Sequence, residues 1–439
     1  MHTAETETRI SIEQIGLRDF RCFRGEHSAR LAPLTLVVGE NSTGKTSFLA
    51  LVRALWEVAH NNEVPDFKEE PYDLGSFSEI VHRRGGSAPK LEQFEAELRI
   101  RDADSASTSF GVTFERKGTA PFPTVRKISN RKGTVSAKQA NGNLQICAET
   151  ENGSSWNTEV QVRFPQTEVT QLVPLHFLWV MTRDSRDESV QPSEDIEELL
   201  FKLQRFGHEI ESRPFASAPV RSKPHRTYDP SRPARDPEGD YVPMYLAYLA
   251  RQHPKEWSAL KKKLMDFGAA SGLFDEIEIK SLGKHEGRPF QIEVRKRGEK
   301  LSGPWRNLVD VGYGVSQVLP LVTELMRPDA PSLVLLQQPE VHLHPSAQAA
   351  LGGLFCHLAT DRQIIAETHS NFLLDRIRMD IRDERTPLSP DDVSILYFER
   401  KEIDVHIHSI RIDENGNVIG APPSYGNFFM EEAARSGQY

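Results

Sequence analysis

The sequence predicts an α/β fold, in which a mixed central sheet carries an antiparallel β subdomain and a helical insertion. A buried-type strand at residues 34–38 is followed by a glycine-rich loop and by a helix whose apolar side chains recur every three to four positions. Residues 90–165 instead alternate apolar and polar side chains, which is the pattern of antiparallel strands. From about residue 301 helices and strands alternate again, as in a parallel or mixed sheet.

These changes of pattern divide the chain into three predicted units. The first, residues 1–165, holds the glycine-rich loop and the antiparallel strands. The second, residues 166–300, is a helical insertion rich in proline and basic residues, and six prolines between residues 214 and 237 exclude one continuous helix there. The third, residues 301–439, completes the central sheet.

The composition excludes several classes of protein. The chain has 439 residues, three cysteines without a Cys-x-x-Cys pair, and a formal net charge of −9. Scattered cysteines exclude a disulfide framework and favour a reducing compartment. No apolar run approaches the ~18 residues of a membrane helix. Since the N-terminus has no signal-peptide pattern either, we expect a cytoplasmic protein with no membrane partner.

The most specific motif is the segment Gly39-Glu40-Asn41-Ser42-Thr43-Gly44-Lys45-Thr46, which matches the phosphate-loop pattern G-x-x-x-x-G-K-[ST]. Its small residues let backbone N–H groups close around phosphates at the positive end of the following helix. We expect Lys45 to give a positive charge to those phosphates and the Thr46 hydroxyl to bind Mg²⁺. The predicted nucleotide-binding residues are Gly39, Asn41, Ser42, Thr43, Gly44, Lys45, Thr46 and Ser47.

Three less specific features follow in the C-terminal unit. The apolar strand at residues 333–336 runs into Gln337 and Gln338, which stand at the position of a Walker B motif. A second strand runs into His369, and strand ends are where α/β proteins bind their ligands. A glycine-rich turn with Gly312 and Gly314 opens a helix and offers a second anion site.

Taken together and in this order, the motifs resemble those of the ABC-type AAA-family ATPases of the RecF, SMC and OLD (overcoming lysogenization defect) group. The resemblance is carried by LRDFRCFRGEHSARLAPLTLVVGENSTGKTSFL, VDVGYGVSQVLPLV, QQPEVHLHP and ETHS. More narrowly, the chain is similar to compact phage-defence ATPases such as the Septu ATPase PtuA. The resemblance implies the fold of an ABC-type P-loop ATPase head.

The resemblance also implies a head-to-tail dimer, or a higher oligomer, with ATP and Mg²⁺ held between protomers. The phosphate loop of one protomer would face the signature-like residues of the other, which are Gly312, Gly314, Ser316 and Gln317. His369 would be the switch histidine near the γ-phosphate. A zinc site built from His342, His344 and His357 is the competing interpretation, although no cysteine or carboxylate ligand is clustered with them.

The chain departs from the family at the Walker B motif. Gln337 stands in place of the acidic metal partner, and Gln338 in place of the acidic general base. A glutamine carbonyl can orient water or bind Mg²⁺ weakly, but it cannot accept a proton at neutral pH. We therefore expect slow hydrolysis, with ATP acting largely as a clamp and with Glu340 or Glu367 as the substitute base. The candidate catalytic residues are Lys45, Gln338, Glu340 and His369, and the candidate metal ligands are Thr46 and Gln337.

A basic stretch in the insertion is the candidate contact for nucleic acid or for a protein partner. Residues 201–235 contain eight Lys/Arg against three Asp/Glu. The candidate contact residues are Arg221, Lys223, Arg226, Arg232 and Arg235, and a phosphate-backbone contact would make binding depend on salt. The alternative, a solvated or partner-facing charged loop, is at least as well supported by the net charge of −9.

Two functions remain as hypotheses. The first is an ATPase subunit of a prokaryotic anti-phage defence complex that controls a separately encoded effector, an HNH or TOPRIM nuclease. No acidic constellation for metal-dependent cleavage follows Ser370, so the chain itself is not expected to be a nuclease. The alternative is a RecF-like repair or recombination ATPase that acts directly on DNA. A transporter subunit fits less well, because a large insertion separates Gly44 from Gly314.

Overall fold

Eight antiparallel strands form the larger of the sheets in the computed structural model, which describes residues 11–61, 64–83, 90–101, 107–140, 143–161, 193–199, 213–230, 234–283, 287–298 and 301–426. The strands are β1 (Ser11–Phe20), β2 (Phe23–Arg30), β4 (Gln93–Arg101), β5 (Ser107–Lys117), β6 (Ala120–Asn130), β7 (Gly133–Ala140), β8 (Asn143–Thr150) and β9 (Ser155–Gln161). Their order is β2-β1-β4-β5-β6-β7-β8-β9. Alternate side chains of β4 are buried, which is the period-2 pattern that predicted the sheet.

The phosphate-loop strand lies in a second, mixed sheet of seven strands. These are β3 (Leu34–Gly39), β10 (Phe215–Ser217), β14 (Leu333–Gln337), β15 (Gln363–Glu367), β16 (Val393–Lys401), β17 (Asp404–Ile412) and β18 (Val418–Ile419). The order is β10-β14-β15-β3-β16-β17-β18; the first five strands run parallel, β17 pairs antiparallel with β16, and β18 pairs antiparallel with β17. All residues of β3, β14 and β15 are buried, as expected for strands covered on both faces.

Helices cover the mixed sheet on its two faces. They are α1 (Lys45–Asn61), α2 (Phe77–Ile80), α3 (Val242–Gln252), α4 (Pro254–Ser271), α5 (Tyr313–Met326), α6 (Pro345–Leu358) and α7 (Asn371–Arg382). Val37 of β3 belongs to the hydrophobic core that includes α1 and the antiparallel sheet. Leu36 and Val38 belong to the core that includes α3 to α7. The central sheet therefore separates two cores.

The predicted fold class is confirmed: the chain has a mixed central sheet built around the phosphate loop, an antiparallel β subdomain and helices within residues 166–300. That middle segment also contributes strands. It supplies β10 to the mixed sheet, and its strands β11 (Glu276–Ser281) and β12 (Phe290–Arg295) pair with β13 (Arg306–Asn307) in a third sheet. A three-residue strand such as β10 is too short to show any periodicity in the sequence.

Among the described residues, no helix combines the length and the apolar character that crossing a membrane requires.

Candidate nucleotide site

The phosphate loop connects β3, in the middle of the mixed sheet, to the first residue of α1. Gly39 and Gly44 have φ values of +143° and +85°, in the region that favours glycine. A Cβ on Gly39 would lie 2.5 Å from the carbonyl oxygen of Phe398, and one on Gly44 would lie 2.5 Å from Cys22 Sγ. The glycines thus let the backbone turn sharply and place the positive end of α1 at the loop, which favours an anion there.

Lys45 folds back over this loop. Its Nζ donates hydrogen bonds to the carbonyl oxygens of Gly39, at 3.0 Å, and of Glu40, at 2.6 Å, and the residue is 3% exposed. Burial lowers the pKa of Lys45, while the negative charges of the nearby Glu367 and Glu40 act to raise it. The ammonium group is therefore held beside the loop by neutral oxygen atoms, and a phosphate would give it charged acceptors instead.

A cavity of about 520 Å³ opens beside the loop, which is within the usual size range for a small-molecule site. Its lining includes Lys45, Thr46, Arg21, His82, Glu367 and Asp404. Arg21, His82 and Asp404 were not predicted as site residues. Arg21 donates from Nε to Ser47 Oγ, at 3.2 Å, and its carbonyl oxygen lies 2.7 Å from His82 Nδ1. Arg21 lies in LRDFRCF, part of the segment that carries the family resemblance, and this position could have marked it as a candidate site residue.

Glu367 ends β15, directly beside the loop. The Thr46 hydroxyl donates a hydrogen bond of 2.8 Å to Glu367 Oε2. Burial raises the pKa of Glu367, while hydrogen bonds from the side chains of Thr46 and Gln338 and the charge of Lys45 act in the opposite direction. The structure thus places a buried carboxyl group next to the predicted metal-binding hydroxyl.

The two glutamines at the Walker B position have different surroundings. Gln337 ends β14, and its Nε2 donates to the carbonyl oxygen of Ser217 in β10, at 3.3 Å. Gln338 has a φ of +41°, which is unusual for a residue other than glycine, and its N–H donates to the carbonyl oxygen of Glu367, at 2.9 Å. Gln338 is therefore next to β15 and the loop, whereas the side chain of Gln337 is bonded to the strand on the far side.

His369 and Glu340 lie together after the ends of β15 and β14. The His369 N–H donates to Glu340 Oε1, at 2.7 Å. Burial, reinforced by the charge of Lys45, lowers the pKa of His369 to about 4, and burial raises the pKa of Glu340. His369 Nε2 is buried and has no hydrogen-bond partner among the described residues. This nitrogen lies near Lys45, whose charge affects the pKa of His369, and it could form a hydrogen bond with a phosphate oxygen.

The signature-like segment is divided between exposed and buried residues. Gly312 and Tyr313, at the start of α5, are exposed, and the helix has neither a side-chain cap nor an acidic residue in its first turn. Ser316 Oγ instead donates to the carbonyl oxygen of Tyr313, at 3.0 Å, and Gln317 Oε1 accepts from the N–H of Arg221, at 3.2 Å. Both side chains are bonded within the protomer, so the exposed helix start is the part that can face a partner.

Most of the described basic candidates are engaged within the protein. Arg221 is 4% exposed, so its side chain is not available to nucleic acid in this structure. Arg226 pairs with Asp310, and Arg235 pairs at 3.2 Å with Glu324 of α5.

Lys223 is exposed, and Arg232 lies outside the described residues. The interpretation of the insertion as a DNA-binding surface therefore gains no support from the described part of this segment.

The zinc interpretation likewise finds no support among the described residues. No group of three or more His, Cys, Asp or Glu side chains is placed there to hold a metal ion. His344 instead caps α6, since its ring accepts from the N–H of Ser346.

Comparison with known proteins gives a family and several structural neighbours. The family described as "AAA domain, putative AbiEii toxin, Type IV TA system" matches residues 131–375, more than half of the chain. A second family, described as "Protein of unknown function (DUF3696)", matches residues 388–429. No curated protein matches.

The solved structures with similar folds include SMC heads, each 10% identical to this chain. One is the SmcHead bound to the C-winged helix domain of ScpA, with a TM-score of 0.47 over 92% of this chain and 98% of that one. Another is the Smc head domain bound to the C-terminal domain of ScpA derived from Pyrococcus furiosus, with a TM-score of 0.45 over 97% of this chain and 100% of that one. A third is the SMC head domain from Thermotoga maritima, with a TM-score of 0.37 over 90% of this chain and 97% of that one.

Proposed function

Since the chain belongs to the family described as "AAA domain, putative AbiEii toxin, Type IV TA system", we propose that it is the ATP-binding subunit of a prokaryotic anti-phage defence complex. ATP with Mg²⁺ binds at the phosphate loop, joins two or more copies head to tail, and so controls a separately encoded effector nuclease of the HNH or TOPRIM type. The observation that carries the proposal is the convergence of Lys45, Thr46 and His369 at one end of the mixed sheet.

The binding step follows from the contacts of Lys45 and Thr46. Lys45 exchanges the carbonyl oxygens of Gly39 and Glu40 for phosphate oxygens, which are stronger acceptors because they are charged. The Thr46 hydroxyl and the carboxylate that it contacts, Glu367, are the oxygen groups that suit Mg²⁺. When bound, Mg²⁺ neutralises charge on the phosphates.

In this proposal His369 is the residue that contacts the terminal phosphate. With its pKa lowered to about 4, the imidazole is neutral at pH 7, and Nε2 can carry a proton to donate to a phosphate oxygen. The backbone N–H of His369 also holds the Glu340 carboxyl group. A movement of His369 on nucleotide binding therefore displaces Glu340.

Hydrolysis is slow in this proposal, because no carboxylate stands at the position of Gln338. Of the two nearby carboxyl groups, Glu367 accepts from Thr46, and Glu340 accepts through Oε1 from the His369 N–H, while its Oε2 has no hydrogen-bond partner among the described residues. A general base must be placed to take a proton from the attacking water, and neither of these carboxyl groups stands at the Walker B position of Gln338. ATP thus acts mainly as a clamp.

The exposed start of α5 is the surface that fits the partner copy. Gly312 leaves room for close approach, since a Cβ there would meet no atom of the described residues within 4 Å, and Tyr313 is 60% exposed. The uncapped N–H groups at this helix start attract an anion such as the terminal phosphate of the other protomer's ATP. The family's description as a putative toxin of a TA system supports a defence-related setting with a second component.

The test compares wild type, Lys45→Ala and the control Lys262→Ala, which removes an exposed lysine of α4. ATP binding, ATP turnover and the mass in solution are measured with and without ATP and Mg²⁺. We expect wild type and the control to bind ATP and to assemble with it, and Lys45→Ala to do neither. Equal ATP binding by Lys45→Ala and wild type would refute the assignment of the site.

A second variant tests the clamp. Gln338→Glu restores a carboxylate at the Walker B position, and we expect its turnover to rise at least tenfold while ATP-dependent assembly becomes shorter-lived. Rapid turnover by wild type, or no gain in the variant, would argue against a clamp that hydrolyses slowly for want of a base at this position.

A further inference from the structure

β14 ends in Gln337 where an acidic metal partner is expected, and the neighbouring strand β15 ends in an acidic residue, Glu367. Gln337, the last residue of β14, is bonded through its side-chain amide and its N–H to Ser217 of β10. In the sheet order β10-β14-β15-β3, this strand lies on the side of β14 away from the phosphate loop. The side chain of Gln337 is therefore hydrogen-bonded to the strand on the far side of β14.

Glu367 lies one strand closer to the loop. It is the register partner of Gln337 in the parallel pair β14–β15, and β15 is hydrogen-bonded to β3 on its other side. Glu367 is 4% exposed, and its Oε2 accepts the hydrogen bond of the Thr46 hydroxyl. The side chain of Gln338 also lies close enough to this carboxylate to lower its pKa. The carboxylate is thus fixed at the hydroxyl that the phosphate-loop motif assigns to the metal.

This contact has a consequence for metal binding. A hydroxyl that offers a lone pair to Mg²⁺ keeps one proton to donate, and coordination makes that proton more acidic. A carboxylate that accepts the proton's hydrogen bond orients the lone pair towards the metal, and such supporting contacts commonly change metal affinity by about 10- to 100-fold. Mg²⁺ also keeps several water ligands, which need acceptors of their own.

We propose that Glu367 is the acidic positioning residue of the magnesium site, replacing the acid that the chain lacks at Gln337. It orients the Thr46 hydroxyl towards Mg²⁺ and accepts hydrogen bonds from the water ligands of the ion. The inference rests on the proposed function, because it requires ATP and Mg²⁺ at the phosphate loop. It also separates two roles: Glu367 serves the metal, so that any residual hydrolysis falls to Glu340, whose Oε2 has no hydrogen-bond partner among the described residues.

The experiment measures metal affinity directly. Mn²⁺ replaces Mg²⁺, its binding to the full-length protein with ATP is followed by electron paramagnetic resonance, and ATP affinity is measured in EDTA and in Mg²⁺. We expect Glu367→Gln, which keeps the shape of the side chain, to weaken Mn²⁺ binding by about 10- to 100-fold. ATP affinity in EDTA should not fall, because the substitution removes a negative charge beside Lys45 and no contact that the phosphates use.

A cycle with Thr46→Val checks that the two residues act together. Because Glu367 acts in part through the hydroxyl, the double variant should lose less Mn²⁺ affinity than the sum of the two single losses, whereas independent effects would add. Glu278→Gln, which removes an exposed carboxylate of β11, is the control for the change of charge.

The outcomes are distinct. Wild-type Mn²⁺ affinity in Glu367→Gln would overturn the inference, as would a loss in Gln337→Met as large as the one expected for Glu367→Gln. If Glu367→Gln does not fold, Thr46→Val and Glu367→Asp decide: equal, wild-type Mn²⁺ affinities in both would overturn it. A wild-type protein that binds no ATP in either EDTA or Mg²⁺ would instead refute the proposed function.

Discussion

Substituting Gly44 with alanine tests how closely the phosphate loop is packed against the antiparallel sheet. The new Cβ would lie 2.5 Å from Cys22 Sγ and 3.0 Å from Cζ of Phe23, a residue with no exposed surface. The left-handed conformation, with φ at +85°, costs an L-residue about 1–2 kcal/mol. Overpacking against a buried ring adds about 1–3 kcal/mol. We expect the free energy of unfolding to fall by about 2–5 kcal/mol in total.

A matched control separates the two contributions. Gly25 has a similar φ of +67°, but in the described part of the chain a Cβ there would meet nothing within 4 Å. Urea denaturation of Gly25→Ala should therefore show only the backbone cost of about 1–2 kcal/mol. ATP affinity should fall in Gly44→Ala and stay unchanged in Gly25→Ala, because only Gly44 belongs to the phosphate loop.

The packing argument also predicts a partial rescue. Cys22 Sγ is the nearest atom to the new Cβ, so the same Gly44→Ala change should cost less in a Cys22→Ala background. Equal losses of stability in Gly44→Ala and Gly25→Ala would refute the reasoning, since they would mean that the Cys22–Phe23 segment moves away at no cost.

Three further predictions concern buried charges. Glu57, which accepts from Arg53 and Arg213, is 7% exposed; Glu57→Ala should cost about 3 kcal/mol in urea denaturation, and a loss below about 1 kcal/mol would contradict this. Because the pKa of His369 is lowered to about 4, the unfolded chain binds more protons between pH 4 and 6.5, so stability should rise with pH there. His369→Gln should remove this part of the slope, and an unchanged slope would refute it. Arg221→Met and Glu340→Gln should each lower the free energy of unfolding, because each leaves the opposite charge buried without compensation. The double variant should lose less than the sum of the two single losses, and additive losses would exclude this pairing.

The elements near the phosphate loop could be predicted because the information is local. A buried strand, a loop with glycines at fixed spacing and an amphipathic helix follow one another in the sequence, and the structure has β3 and α1 there. The site around them depends on distant segments. Thr46 and Glu367 are 321 residues apart, and their contact exists because β15 is the neighbour of β3 in the sheet. Neither segment alone determines the order of the parallel strands. From the sequence, Glu367 was therefore only one of two acidic residues near the motifs, and its contact with Thr46 could not be predicted.

The middle segment shows why counting charges does not reveal their role. Arg221 stands among basic residues and would be placed on the surface by that count, yet it is 4% exposed and its three guanidinium nitrogens have no hydrogen-bond partner among the described residues. Its backbone is hydrogen-bonded to Gln317 of α5, and its charge lies close enough to Glu340 to affect the pKa of that carboxyl group. β10 places it there, because this strand pairs with β14 and so brings the following residues to the Walker B end of the sheet. One segment therefore joins the Glu340–His369 pair to the helix whose exposed start is proposed to face a partner copy. A change at the terminal phosphate could therefore be transmitted through His369, Glu340 and Arg221 to α5, on whose exposed start assembly is proposed to depend.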